Sequence, residues 1–162
     1  GKFPFDFKSV SIQNFIITLL DMLEDDLKKN NAILTLNTTC TDQKVYIDGA
    51  QMTRAITNIL DNSLKYNTNK KIHITVTLSE QNDRIIIRIQ DDGDGVSDEQ
   101  LPRLFDSFYR GDESRNNASE GSGLGLAIAK NIVTGNKGII YAENYNGLTV
   151  IIELPVEKEE NQ

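Results

Sequence analysis

Residues 53–67 read TRAITNILDNSLKYN, and this stretch decides the fold because it predicts a helix with two different faces. At about 100° per residue its apolar side chains fall on one arc, whereas Asn58, Asn62 and Lys65 gather on the opposite side. Solvated helix faces usually carry Glu, Lys and Arg, so two carboxamides one turn apart beside an ammonium group are unusual. Taken alone, the stretch fits a plain polar surface equally well.

Composition restricts the kinds of partner that the chain can have. Its 162 residues suit one domain, and a formal net charge of −7 argues against nucleic acid or an anionic membrane as the main partner. The lone Cys40 cannot form an internal disulfide, which suits a reducing cytoplasm, and Cys40 with the single His73 cannot build a metal cluster. No apolar run approaches ~18 residues, so we expect no membrane span. The chain begins with Gly1 rather than Met, and we therefore expect a fragment of a longer protein.

Strand and helix patterns fall into separate groups along the chain. An amphipathic helix follows a cap at Ser9 or Ser11, and the opening helix follows a cap at Asp48 or Gly49. This segregation favours an α+β fold, a two-layer α/β sandwich with a mixed, largely antiparallel sheet of about five strands and about three helices on one face. No GxxxxGKS or GxxxxGKT motif follows a strand, which excludes a P-loop protein. The predicted strands are 3–10, 32–39, 44–47, 72–78, 84–89, 138–144 and 148–154, with a last helix at 124–133.

Residues 91–95 read DDGDG and come directly after a predicted strand. Two glycines one residue apart permit positive φ, and Asp91 at the strand end can accept a hydrogen bond from an exocyclic amine. A tight acidic turn and a calcium loop are the alternatives. A calcium loop of the EF-hand type needs further carboxylates and a late Glu that this segment lacks. The motif alone leaves a turn and a ligand site equally open.

Residues 121–127 read GSGLGLA and lead directly into the last predicted helix. Glycines there expose backbone N–H groups at a helix start, where the partial positive charge favours phosphate. The pattern follows a loop, residues 111–121, rather than a strand, so a dinucleotide-binding motif fails its context. Close helix packing is the simpler alternative. A phosphate-binding helix start beneath a mobile lid fits better.

Four segments together resemble the motifs of bacterial sensor histidine kinases, in the order in which that family carries them. The resemblance identifies the catalytic, ATP-binding domain of the GHKL superfamily, which also includes gyrase, the MutL repair proteins and a heat-shock chaperone. The segments are residues 58–66 (NILDNSLKY, the N box), 91–95 (the first glycine box), 104–111 (LFDSFYRG, the phenylalanine box) and 121–127 (the second glycine box).

The resemblance implies a site for ATP and Mg²⁺, carried over position by position. Asn62 would bind Mg²⁺ with Asn58 assisting, Lys65 and Tyr66 would line the phosphates and base, and Asp91 would accept from the adenine amine. Asn58, Lys65 and Arg110 would be catalytic, with Arg115 as an alternative to Arg110. The implied nucleotide-binding set is Asn58, Asn62, Lys65, Tyr66, Asp91, Gly93, Gly95, Gly121, Ser122, Gly123, Leu124 and Gly125.

The resemblance also implies partners. The γ-phosphoryl group would pass to a histidine on dimerisation helices absent from this chain, and then to a cognate response regulator of a two-component system. The isolated domain would be monomeric and the parent a homodimer, with this portion in the cytoplasm of a membrane-bound sensor. The family's phosphoacceptor box is absent, and we expect His73 to be an exposed strand residue. Residues 1–156 would form the domain and 157–162 a charged, disordered tail.

Position 58 separates phosphotransfer from hydrolysis. Hydrolytic relatives carry a glutamate there that activates water, whereas the carboxamide of Asn58 cannot act as a base. We therefore expect slow hydrolysis. A nucleotide-binding regulatory module, a GHKL ATPase and an anti-sigma serine kinase stay open, the last disfavoured by the phenylalanine box. Phe105, Phe108 and Tyr109 either dock the histidine-bearing helices or pack the base of the lid.

Overall fold

The computed structural model describes residues 4–107 and 124–158, and these contain three α-helices and two β-sheets. The helices are α1 (Ile12–Lys29), α2 (Gly49–Tyr66) and α3 (Gly125–Gly135), with a short 3₁₀ turn at Leu101–Arg103. The strands are β1 (Lys8–Ser11), β2 (Ala32–Thr38), β3 (Lys44–Ile47), β4 (Ile72–Gln81), β5 (Arg84–Asp91), β6 (Ile139–Asn144) and β7 (Leu148–Pro155).

The main sheet has five strands in the order β2-β4-β5-β7-β6. Only β2 and β4 run parallel, and the three other pairs are antiparallel, which confirms the predicted α+β fold with its mixed, largely antiparallel sheet. The strands β1 and β3 form a separate antiparallel pair. The consecutive strands β2 and β3 therefore lie in different sheets, and the polar turn between them carries the chain from one to the other.

The core fixes the rotation of α2. Its apolar arc packs with the inner face of the main sheet in one hydrophobic cluster, and burying each such side chain stabilises the fold by about 1.5–3 kcal/mol. The polar residues at 58, 62 and 65 must then face away from this cluster. The buried apolar side chains on α2 are Met52, Ala55, Ile56, Ile59 and Leu60; those on the facing strands include Ile74, Val76, Ile87, Ile89, Val150 and Ile152.

Side-chain caps fix where α1 and α2 begin. Ser11 accepts a hydrogen bond from the backbone N–H of Asn14, and Asp48 accepts one from the backbone N–H of Gln51. Of the two caps predicted for each helix, Ser11 and Asp48 are the observed ones. The backbone N–H of Asp48 donates to Oδ1 of Asn136 (2.8 Å), the residue after α3. This contact holds the start of α2 against the end of α3.

The described chain continues past position 156. The backbone N–H of Glu157 donates to the carbonyl of Lys44 (2.7 Å), and Lys158 forms an ion pair with Asp83 (3.7 Å). Two residues assigned to the predicted tail therefore contact the domain, and the boundary at 156 stays a prediction. Among the described residues, no helix combines the length and the apolar character that crossing a membrane requires.

Candidate nucleotide-binding site

The polar face of α2 contacts the start of α3 through Asn58. Its side chain is half-buried, and Nδ2 donates to the carbonyl oxygen of Gly125 (3.1 Å). Two segments that are 67 positions apart thereby meet, and a ligand site shared between them stays a prediction. Because Nδ2 is a donor group and Oδ1 an acceptor, Oδ1 is the atom that Asn58 can offer to a metal ion.

The next turn of α2 carries the other predicted residues. Asn62 is half-buried, Lys65 is exposed, and Tyr66 is half-buried at the last helical position. Within the described part of the chain, Asn62 makes no side-chain hydrogen bond and Lys65 no ion pair. A neutral oxygen ligand and an unneutralised ammonium group are therefore available on the same helix, a combination that suits a magnesium-bound phosphate.

Asp91 ends β5 and is buried, with only 7 % of its surface exposed. Its Oδ1 accepts hydrogen bonds from the backbone N–H groups of Gly93 (2.9 Å) and Leu148 (3.2 Å). No described residue donates to Oδ2. Backbone N–H groups thus hold one oxygen, while the other can still accept a hydrogen bond. An exocyclic amine of a bound base would need such an acceptor.

The turn between β6 and β7 passes directly against Asp91. Gly147 has φ +128°, and a Cβ added there would lie 2.1 Å from the carbonyl oxygen of Asp91, so only glycine fits. Gly95 has φ +72° on the other side of the loop. The sequence predicted the loop at 91–95 and the two strands that this turn joins from local signals. It gave no sign that they touch, because that contact depends on the strand order of the sheet.

Asp92 anchors the same loop to the end of α2. Its Oδ1 accepts hydrogen bonds from Nδ2 of Asn67 (2.9 Å) and from the backbone N–H of His73 (3.1 Å), while Asn69 donates to its carbonyl oxygen. Burial alone would raise the pKa of Asp92, but the hydrogen bonds from His73 and Asn67 to its carboxylate oppose this, and the pKa lies below its ordinary value. The sequence assigned Asn67 no role.

Acid is expected to remove the contribution of Asp92 to stability. Because its folded-state pKa is lowered, that contribution is fully present above the ordinary value of 3.8 and is lost as the pH falls through the folded-state pKa. Urea unfolding at about pH 6 and about pH 3 should therefore show a smaller pH effect for Asp92→Asn than for the unsubstituted chain. The control is Asp94→Asn, an exposed carboxylate in the same loop. Equal pH effects in all three proteins would contradict the assignment.

The last two predicted motifs lie partly within the described residues and partly outside them. The helix α3 does start in the predicted segment, at Gly125, and no side chain among the described residues caps its first turn. Leu124 is half-buried at the cap position. Phe105 is partly buried and packs against the core cluster, which favours a structural use for this aromatic. The residues outside the description are Phe108, Tyr109, Arg110, Arg115, Gly121, Ser122 and Gly123, and with them the predicted lid at 111–121.

Residues 47–158 match the family described as histidine kinase-, DNA gyrase B- and HSP90-like ATPase. The chain belongs to this family. The match includes the whole of α2, the loop at 91–95 and the start of α3. It confirms the predicted membership of the GHKL superfamily.

Two curated proteins to which this chain is similar are sensor kinases. The signal transduction histidine-protein kinase BaeS of Escherichia coli K12 is 38 % identical over 71 % of this chain and 25 % of that protein. The sensor histidine kinase WalK of Bacillus subtilis 168 is 31 % identical over 98 % of this chain and 26 % of that protein. The chain thus spans about a quarter of the length of these curated relatives. Its similarity to sensor histidine kinases agrees with the resemblance that its motifs carry.

Solved structures show the same fold. The catalytic domain of the histidine kinase ThkA matches with a TM-score of 0.78 at 22 % identity, covering 93 % of this chain and 98 % of that one. The mycobacterial sensor histidine kinase MprB matches with a TM-score of 0.77 at 23 % identity, covering 95 % and 100 %. At this identity the likeness concerns the fold alone.

Proposed function

We propose that this domain binds Mg²⁺-ATP between α2, the loop after β5 and the start of α3, and transfers the γ-phosphoryl group to a histidine of a partner domain. The observation that carries the proposal is the contact between Asn58 and Gly125. It brings the carboxamide face of α2 to the uncapped first turn of α3, where backbone N–H groups favour phosphate.

Different residues would contact the base and the phosphates of the nucleotide. Asp91 accepts a hydrogen bond from the adenine amine through Oδ2, while Gly93 and Leu148 hold Oδ1. Lys65, in the last turn of α2, would neutralise phosphate charge, and Tyr66, the next residue, would line the base. Gly93, Gly95, Leu124 and Gly125 supply backbone, and Gly121, Ser122 and Gly123 remain part of the proposed phosphate cradle on the basis of the motif.

The side chains on α2 fit a magnesium ion. Asn62 and Asn58 each offer a neutral carboxamide oxygen, and Mg²⁺ is usually held by a few protein oxygens together with substrate phosphates. When bound, the ion offsets the negative charge that develops on the phosphate oxygens.

Asn58 favours transfer over hydrolysis. A carboxamide cannot take a proton from water, and Nδ2 of Asn58 is committed to Gly125. The chain's residues would therefore hold the γ-phosphoryl group without supplying a base at position 58 to activate water. Transfer would occur when an imidazole nitrogen from outside the domain approaches in line. Lys65, and Arg110 from the motif, would compensate charge during transfer.

The partners are proposed by analogy with relatives. One structural relative is a complex of the histidine kinase ThkA with the response regulator protein TrrA. By analogy, the phosphoryl group would pass from the dimerisation helices of a homodimeric parent kinase to its own response regulator. Because ATP is held inside the cell, this portion of the parent would be cytoplasmic. Residues 1–156 would form the functional unit.

Calorimetric titration of the full chain with ATP tests the binding step. We expect tight binding in the presence of Mg²⁺ and much weaker binding with a chelator, because without the ion Lys65 alone would offset the negative charge of the triphosphate on this face of α2. Binding that does not respond to Mg²⁺ would remove Asn62 and Asn58 from the metal site. No binding under either condition would overturn the proposed function.

A further inference from the structure

Asn144, the last residue of β6, makes a two-point contact with the loop after Asp91. Its Oδ1 accepts a hydrogen bond from the backbone N–H of Val96 (3.0 Å), and its Nδ2 donates to the carbonyl oxygen of the same residue. The carboxamide thereby pairs with Val96 as a neighbouring strand would. The two residues are 48 positions apart, so the contact joins the turn between β6 and β7 to the loop at 91–95.

The same turn contacts that loop from its other end. Nε2 of Gln90 donates to the carbonyl oxygen of Tyr145 (2.7 Å), and the backbone N–H of Leu148 donates to Oδ1 of Asp91 (3.2 Å). Through Gln90, Asp91 and Val96, the hairpin of β6 and β7 therefore contacts the chain on both sides of the loop. Gly95 packs closely against the same hairpin, because a Cβ added there would come within 2.6 Å of Oδ1 of Asn144.

We propose that Asn144 is a positioning residue for base recognition: by clamping Val96 it holds the loop in the form that keeps the Asp91 carboxylate in one orientation. Asp91 itself makes the proposed contact with the base, and Asn144 acts through it. The inference rests on the proposed function, since it concerns how selectively that site takes adenine. It adds a selectivity determinant from β6, outside the segments whose motifs predicted the site.

The test compares two nucleotides on the full chain. Inosine triphosphate carries a carbonyl group where ATP carries its exocyclic amine, so it reports on the triphosphate contacts without the amine contact. We expect Asn144→Ala to weaken ATP binding about tenfold, the loss that about 1.4 kcal/mol corresponds to, and to change binding of inosine triphosphate by less than about twofold. Hydrogen exchange at the Val96 amide should accelerate in the same variant, because its acceptor is gone.

Asn146→Gly is the matched control. It is the same residue type on the same turn, it is exposed, and its φ of +53° is one that glycine adopts freely. We expect this variant to keep both the affinity for ATP and the preference over inosine triphosphate. If Asn144→Ala does not fold, Asn144→Asp takes its place. It keeps an acceptor for the Val96 N–H but sets a carboxylate against the Val96 carbonyl, so the same loss of preference is expected.

The possible results distinguish failure of this inference from failure of the proposed function on which it rests. An unsubstituted chain that does not bind ATP would overturn the proposed function. A chain that binds and prefers ATP, with that preference unchanged in the folded Asn144 variant, would overturn only the inference. Equal loss of both nucleotides would also overturn it, since that result indicates a general loss of structure rather than a role in reading the base.

Discussion

Replacing Asn62 by Ala is expected to abolish the Mg²⁺ dependence of ATP binding and to lower phosphotransfer by at least about a hundredfold, because it removes a proposed metal ligand. The side chain is half-buried and makes no hydrogen bond within the described residues, so the fold should tolerate the change. Calorimetry with and without Mg²⁺ measures the first effect, and transfer of labelled phosphate to a histidine domain measures the second.

The neighbouring Asp61→Ala is the control for Asn62→Ala. Asp61 is exposed on the same helix, and the substitution introduces the same residue one position earlier. This variant should keep the Mg²⁺ response. If Asn62→Ala still needed the metal for binding, the ligand would have to be sought elsewhere on the polar face.

Asp91→Asn is expected to cut ATP affinity tenfold or more while the fold stays intact. An asparagine oxygen can still accept from the N–H groups of Gly93 and Leu148, so the buried contacts survive. The amide nitrogen then occupies the place of Oδ2 and sets a donor against the donor amine of adenine. The loss of a charge-assisted hydrogen bond costs about 1.5–3 kcal/mol.

Calorimetry and thermal unfolding together decide the Asp91 prediction. Asp94→Asn removes an exposed charge from the same loop and should leave ATP affinity within about twofold, as expected for an exposed charge. Unchanged affinity in Asp91→Asn would exclude Asp91 from reading the base. A large fall in melting temperature with loss of all nucleotide binding would instead assign it a structural role.

Local signals in the sequence were sufficient for the helices and the turns. The apolar period of α2 and its cap at Asp48 lie within a few residues of one another, and so do the residues of the loop at 91–95. Such features depend on neighbours along the chain. The sequence therefore predicted which face of α2 is polar and where the site residues lie on it.

Contacts between distant segments were not predictable in the same way. The parallel pairing of β2 with β4, rather than a pairing with β3, depends on which strand best covers the open edge of the sheet. The hydrogen bonds of Asn67 to Asp92 and of Asn144 to Val96 join residues 25 and 48 positions apart. Neither asparagine stands in a pattern that names its partner. The roles of Arg110, Gly121, Ser122 and Gly123 stay predictions from the motif.

Both the sequence and the structure single out Asn58. The sequence distinguished it because a glutamate at this position would favour hydrolysis, and the structure shows its amide nitrogen bound to Gly125. An ATPase would have to activate water without a carboxylate at this position. Steady ATP hydrolysis by the isolated domain, lost in Asn58→Ala, would instead support the ATPase alternative.

The most direct test of the account supplies the domain with Mg²⁺ and γ-labelled ATP, together with the separately produced dimerisation helices of the parent kinase. Label on the histidine and free phosphate are followed in the same reaction. We expect acid-labile label to accumulate on the helices while little phosphate is released, and no label when the acceptor histidine is replaced by Ala. Steady release of phosphate with unlabelled helices would contradict the account.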